Sequence, residues 1–127
     1  MAIIARIAVG LVAALFLYIG VSIWFNFDAT VLGLGLTVPN ALGRAAVRAD
    51  FGALFFGVGG MSAMAAWRMS RTYALGALIL LCIALTGRVF SLLLEGPAPG
   101  GTPPMLVEAL SIGILASARH VWRSSTP

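Results

Sequence analysis

Ionisable side chains are scarce in this sequence of 127 residues, which holds eight arginines, four acids and one histidine, and their positions are the first guide to its chemistry. Arg88 and Glu108 fall inside long apolar stretches, and Asp50 opens another. At the centre of a membrane span such a group costs about 2.5–3.5 kcal/mol, so its presence calls for a partner or a task. Arg88, Ser91 and Glu95 recur at i, i+3 and i+7, one face of a helix, while Glu108 and Ser111 share a second polar face at i+3. An arginine between carboxylates can lock helix register as an ion pair, or counter-charge titrating acids in a binding or transport site. The same two acids could also serve as general acid and base on a bound substrate. The expected polar cluster is Asp50, Arg88, Ser91 and Glu108, either ligand-binding or structural, with Arg88 paired to Glu108 or Asp50. Arg44, Arg48 and Glu95 are outer-surface contributors.

Other chemistries are excluded by composition. One cysteine, Cys82, forms no intrachain disulfide, and with the single His120 it supplies no zinc or haem site of normal ligand count. No metal, cofactor or catalytic residue is expected, and no nucleophile or metal-binding motif is present. The basic residues are all arginine and form no run that would track a phosphate backbone, so nucleic acid is not a partner. With 61% apolar and 9% charged residues, the chain departs from the roughly 25% charge of soluble domains and reads as an integral membrane protein.

Elements that position the polar cluster follow from the length of the apolar segments. About 20 apolar residues are needed to cross a hydrocarbon core as a helix. Four segments qualify, at about 3–25, 50–67, 72–94 and 105–122. Together they predict an all-α, four-span bundle, a single domain over 1–127. Trp24, Trp67, Tyr73 and Trp122 mark the span ends as an interfacial belt. The first span is too long for an ordinary signal core and reads as an uncleaved anchor. Placing both termini in the cytoplasm puts Arg6, Arg68, Arg71, Arg119 and Arg123 inside and leaves Arg44 and Arg48 outside, which satisfies the positive-inside rule. The tight 68–71 connection then makes spans two and three antiparallel neighbours. Residues 26–49 form an outer segment, with a short interfacial helix or a re-entrant piece leading from Asn40 into span two. Residues 95–104, rich in Gly and Pro, read as a loop that is not helical, with Glu95 a solvated loop charge. Gly59 and Ala63 form a small-xxx-small pair for close helix packing. Met61, Met64 and Met69 are core filler or cavity lining, and Cys82 is expected to be buried and inert.

Arg48-Ala49-Asp50-Phe51-Gly52-Ala53-Leu54-Phe55-Phe56-Gly57-Val58-Gly59, Gly87-Arg88-Val89-Phe90-Ser91, the Glu95-Gly96-Pro97 turn and Glu108 together span most of the chain. In these features the sequence resembles a family of small bacterial four-helix membrane proteins catalogued only as a domain of unknown function. Glu95 stands where the pattern leads one to expect aspartate. The resemblance implies a bacterial inner-membrane location and four spans, and it carries no activity.

Three functions are compatible with this reading. The favoured one is a non-enzymatic inner-membrane bundle, either an accessory subunit of a larger membrane complex or a holder of an apolar molecule or lipid. An oligomeric, proton-coupled small transporter would use Asp50 and Glu108 as titrating groups and Arg88 as counter-charge. A lipid-modifying membrane enzyme stands third. Expected partners are membrane lipids, with a homo-oligomer or a larger complex as the assembly.

Overall fold

A computed structural model describes residues 1–124 of the chain. Its helices are α1 (Ala2–Phe25), α2 (Phe27–Gly33), α3 (Ala41–Arg68), α4 (Arg71–Glu95) and α5 (Thr102–Ser124). The described residues contain no strand. Four of the helices, all but α2, are each long and apolar enough to cross a membrane, the marks of a multi-pass membrane protein.

Local chemistry accounts for the boundaries. Pro39 holds the chain extended, and the Asn40 side chain then accepts the Gly43 N–H at 2.8 Å to cap α3. At its other end α3 closes on Met69, left-handed at φ 48°, and Ser70 caps α4 by accepting from the Tyr73 N–H at 3.5 Å. Two residues between α3 and α4 leave them no arrangement but antiparallel contact.

Span two begins at the Asn40 cap, on a helix that runs unbroken for 28 residues through Arg68. A short helix, α2, precedes it, separated by residues 34–40. The segment 95–104, expected to be a non-helical loop, needs correction, because it is more helical than its prolines suggest. Glu95 is the last residue of α4, and Thr102, Pro103 and Pro104 form the first turn of α5. First-turn N–H groups have no intrahelical acceptor, so proline there removes nothing.

The long helices pack in a ring, α1 on α3, α3 on α4, α4 on α5 and α5 on α1. The α1–α3 contact is the most extensive, and its antiparallel register is fixed by glycines. A Cβ on Gly59 would lie 2.8 Å from the backbone nitrogen of Leu17, and one on Gly20 would meet the Phe56 ring at 3.3 Å. At Gly59 only a hydrogen side chain fits against the Leu17 backbone, whereas at Gly20 the Phe56 ring would have to shift by a few tenths of an ångström; Ala63, one turn on from Gly59, is half-buried. Val9, Phe16, Ile23, Phe55, Val58, Leu81, Leu115 and Trp122 build the shared core, with Phe16 and Phe55 stacked at 5.9 Å.

Outside this core the surface is apolar too. Ile3, Ile7, Leu11, Tyr18, Ile79, Ile83, Leu93 and Leu110 are all exposed, as hydrocarbon-facing side chains are. Cys82 is among the exposed residues, contrary to the buried position expected for it. It lies next to Leu81, the residue α4 turns inward, and so falls on the outer face.

Candidate functional site

Antiparallel packing sorts the charges by end. Arg6, Arg68, Arg71, Arg119 and Arg123 gather where α1 begins. The four acids, Asp28, Asp50, Glu95 and Glu108, lie toward the opposite end with Arg44, Arg48 and Arg88.

At that second end Arg88 of α4 reaches Glu108 of α5. Its Nε donates to both carboxylate oxygens, at 2.9 Å to Oε1 and 3.0 Å to Oε2. The Glu108 side chain is 11% exposed, whereas that of Arg88 is 38% exposed. A carboxylate so withdrawn from solvent needs its cation, since the desolvation of either ion alone is not recovered elsewhere. A guanidinium carries five N–H donors, and this geometry uses the one on Nε. The four on the Nη atoms have no hydrogen-bond partner among the described residues.

The pair forms part of the wall of a cavity of about 530 Å³. Phe51, Leu54 and Phe55 of α3 supply its apolar side, and Leu34 and Leu36 approach from the connection after α2. Ser91 and Glu95 continue the polar face of α4 toward the mouth, where Pro97 and Ala98 of the α4–α5 loop also contribute. The size falls within the range of small-molecule sites, which pair apolar walls with a few placed polar groups.

A second charged group, outside the cavity lining, stands at the start of α3. Arg44 donates to both carboxylate oxygens of Asp28, from Nη2 at 3.3 Å and more closely from Nη1. The Arg44 hydrogen bond holds the Asp28 carboxyl below the usual carboxylate range. The guanidinium carbons of Arg44 and Arg48 lie 4.2 and 4.5 Å from the centroid of Phe27, whose ring is buried. Trp24 Nε1 donates to the Arg48 carbonyl at 3.1 Å. These contacts pin α2 and the end of α1 against α3, and they give Arg44 and Arg48 work in holding the fold.

Asp50 does not join the polar cluster. It is exposed, on the α3 stripe shared with Leu42, Ala46 and Ala53, and it does not line the cavity. One residue of register decides this, because Phe51 takes the inward position that the cluster would require of Asp50. Ser111 is buried a turn beyond Glu108. Met105 lines the cavity, whereas Met61, Met64 and Met69 do not.

Residues 4–118 match the family described as a domain of unknown function, DUF4345. The chain belongs to this family. No curated protein matches it, and no solved structure does. The DUF4345 stretch contains the whole cavity wall, from Leu34 to Glu108. Within it, sequence reasoning missed Leu34 and Leu36, because an apolar run between turns gives no sign of which helix it will cover. Phe51, Leu54 and Phe55 did carry a signal, the i, i+3, i+4 spacing of a single helical face.

Proposed function

We propose that this DUF4345 protein is a bacterial inner-membrane bundle that holds an apolar or amphiphilic molecule in the cavity beside Arg88 and Glu108. The observation that carries this reading is the pairing of an apolar wall with an arginine whose Nη donors are unfilled while its Nε is committed to Glu108. Arg88 is thereby fixed in place without being saturated, the state of a preorganised binding group. The five arginines at the other end support an orientation with both termini cytoplasmic and the cavity toward the outer leaflet.

The carrier reading ranks second. It requires Asp50 and Glu108 on one path with Arg88 between them, and the exposed place of Asp50 outside the cavity speaks against that arrangement.

Native mass spectrometry of protein gently extracted from its own membrane, with identification of co-purifying small molecules, tests the proposal. A defined lipid or apolar molecule bound in stoichiometric amount is expected. A preparation free of such molecules but carrying a stoichiometric protein partner would overturn it and make the chain an accessory subunit.

A further inference from the structure

Glu95 gives the cavity a second, opposite polar demand. Its carboxylate is exposed at the wall, and it has no hydrogen-bond or ion-pair partner among the described residues. It stands seven residues from Arg88 on the same face of α4, about 10 Å along the helix axis. The ionisable groups on the wall are Arg88, Glu108 and Glu95, a formal sum of −1. Arg88 and Glu108 cancel each other, so a ligand meets four guanidinium N–H donors lower in the cavity and an unpaired carboxylate nearer the mouth.

These groups discriminate among head groups. A purely anionic head that reached the Arg88 Nη donors would sit within the field of Glu95 and Glu108. A purely cationic head would satisfy Glu95 and leave Arg88 unfilled. A head that carries both an anionic oxygen acceptor and an ammonium answers both demands, with apolar chains against Phe51, Leu54 and Phe55. We infer that the molecule held in this cavity is a zwitterionic amphiphile, with its phosphate or carboxylate on the Arg88 Nη atoms and its ammonium on Glu95. The inference rests on the ligand-holding reading above and names the class of ligand.

Purified protein is equilibrated with equal amounts of phosphatidylethanolamine, phosphatidylglycerol and diacylglycerol of matched acyl chains, and bound lipid is counted by native mass spectrometry. Phosphatidylethanolamine is expected to exceed phosphatidylglycerol by roughly tenfold, the scale of one charge-assisted hydrogen bond. Glu95→Gln, an exposed and isosteric change, abolishes that preference by lowering bound phosphatidylethanolamine to the level of phosphatidylglycerol, with both still above diacylglycerol. Arg88→Gln alone strands a buried carboxylate and risks the fold. The doubly neutral Arg88→Gln/Glu108→Gln variant is used in its place, and both phospholipids then fall to the level of diacylglycerol.

Phosphatidylglycerol bound as well as phosphatidylethanolamine by the unmodified protein, or an unchanged preference in Glu95→Gln, overturns the inference while leaving the ligand-holding reading standing. Water-soluble phosphoethanolamine competing as well as the lipid overturns the amphiphile assignment, since the chains would then add nothing. Folded protein that retains no lipid of any kind fails the ligand-holding reading itself.

Discussion

The two ends of the bundle use arginine in opposite ways. Where α1 begins, Arg6 donates to the Trp67 carbonyl at 3.4 Å and Arg119 to the Arg71 carbonyl at 3.2 Å. These side chains bond exposed backbone groups, and among the described residues no Asp or Glu side chain lies at that end. At the other end Arg88 and Arg44 each hold a carboxylate, and the helices part around a cavity. At one end arginines tie neighbouring helices together through backbone carbonyls, whereas at the other, arginines paired with carboxylates stand around an opening. Withdrawing an arginine from water is tolerable at the second end because Glu108 accompanies it.

The most direct way to break this comparison is to remove one arginine from each end. Arg88→Ala should destabilise the protein by about 3 kcal/mol, the low end for a broken buried pair because Arg88 is partly exposed. Arg119→Ala should cost no more than about 1 kcal/mol, the net worth of one exposed hydrogen bond. Reversible unfolding in mixed micelles measures both, and equal losses would erase the distinction between the ends.

The shared core between the ends should prove sensitive to glycine register. Gly59→Ala drives a methyl group into the Leu17 backbone and should cost about 1–3 kcal/mol. At Gly60 a Cβ meets nothing within 4 Å, so Gly60→Ala should be neutral or stabilise by up to about 1 kcal/mol. Thermal denaturation of the two neighbours reports the contrast, which inverts if α3 is rotated from the register described.

Filling the opening sharpens the comparison without touching its charges. Leu54→Trp places an indole ring on the cavity wall and should abolish co-purification of the proposed ligand. Unfolding stability should change by no more than about 1.5 kcal/mol, since the added volume enters open space and not packed core. Retained stoichiometric ligand would move the site elsewhere.

The smallest effect belongs to acid. Asp28 has a lowered carboxyl value through its bond to Arg44, so its contribution is present above the unfolded-state value near 3.9 and is lost as the pH falls through the lower folded one. Spin labels at Ala29 and Ala45 should show α2 loosening from α3 in that acid window, with the distances at the other end unchanged. Asp28→Asn should show the loosened distance at neutral pH and no further change on acidification.

The four long helices were legible because hydrocarbon leaves the chain so few solutions. A run of some 20 apolar residues in α1 or α4 has only helix as a way to satisfy its backbone. Arg88 and Glu108 could be read as a pair from their similar depth in adjacent antiparallel spans, which the sequence displays as distances from the Gly-Pro turn. Asp50 misled at the same level of argument, since depth was right and rotation about the helix axis was not. A carboxylate one position from Phe51 points some 100° away from it. The cavity itself was out of reach, because it arises where Leu34 and Leu36 fold across α3, a contact between segments with no shared periodicity.

The unbroken length of α3 has a mechanical consequence. At 1.5 Å per residue its 28 residues extend about 42 Å, against a hydrocarbon core of about 30 Å. The stretch before Asp50, about 13 Å long, is by itself enough to account for the excess of about 12 Å, and Arg44 and Arg48 both lie on it. A thicker bilayer draws those arginines toward the acyl region, and the helix answers by standing more upright or by letting them snorkel outward, whereas a thinner bilayer increases its tilt. Since the same rod carries Phe51, Leu54 and Phe55, its tilt carries one wall of the cavity along. The depth of the cavity mouth below the head groups is thus tied to the thickness of the surrounding lipid.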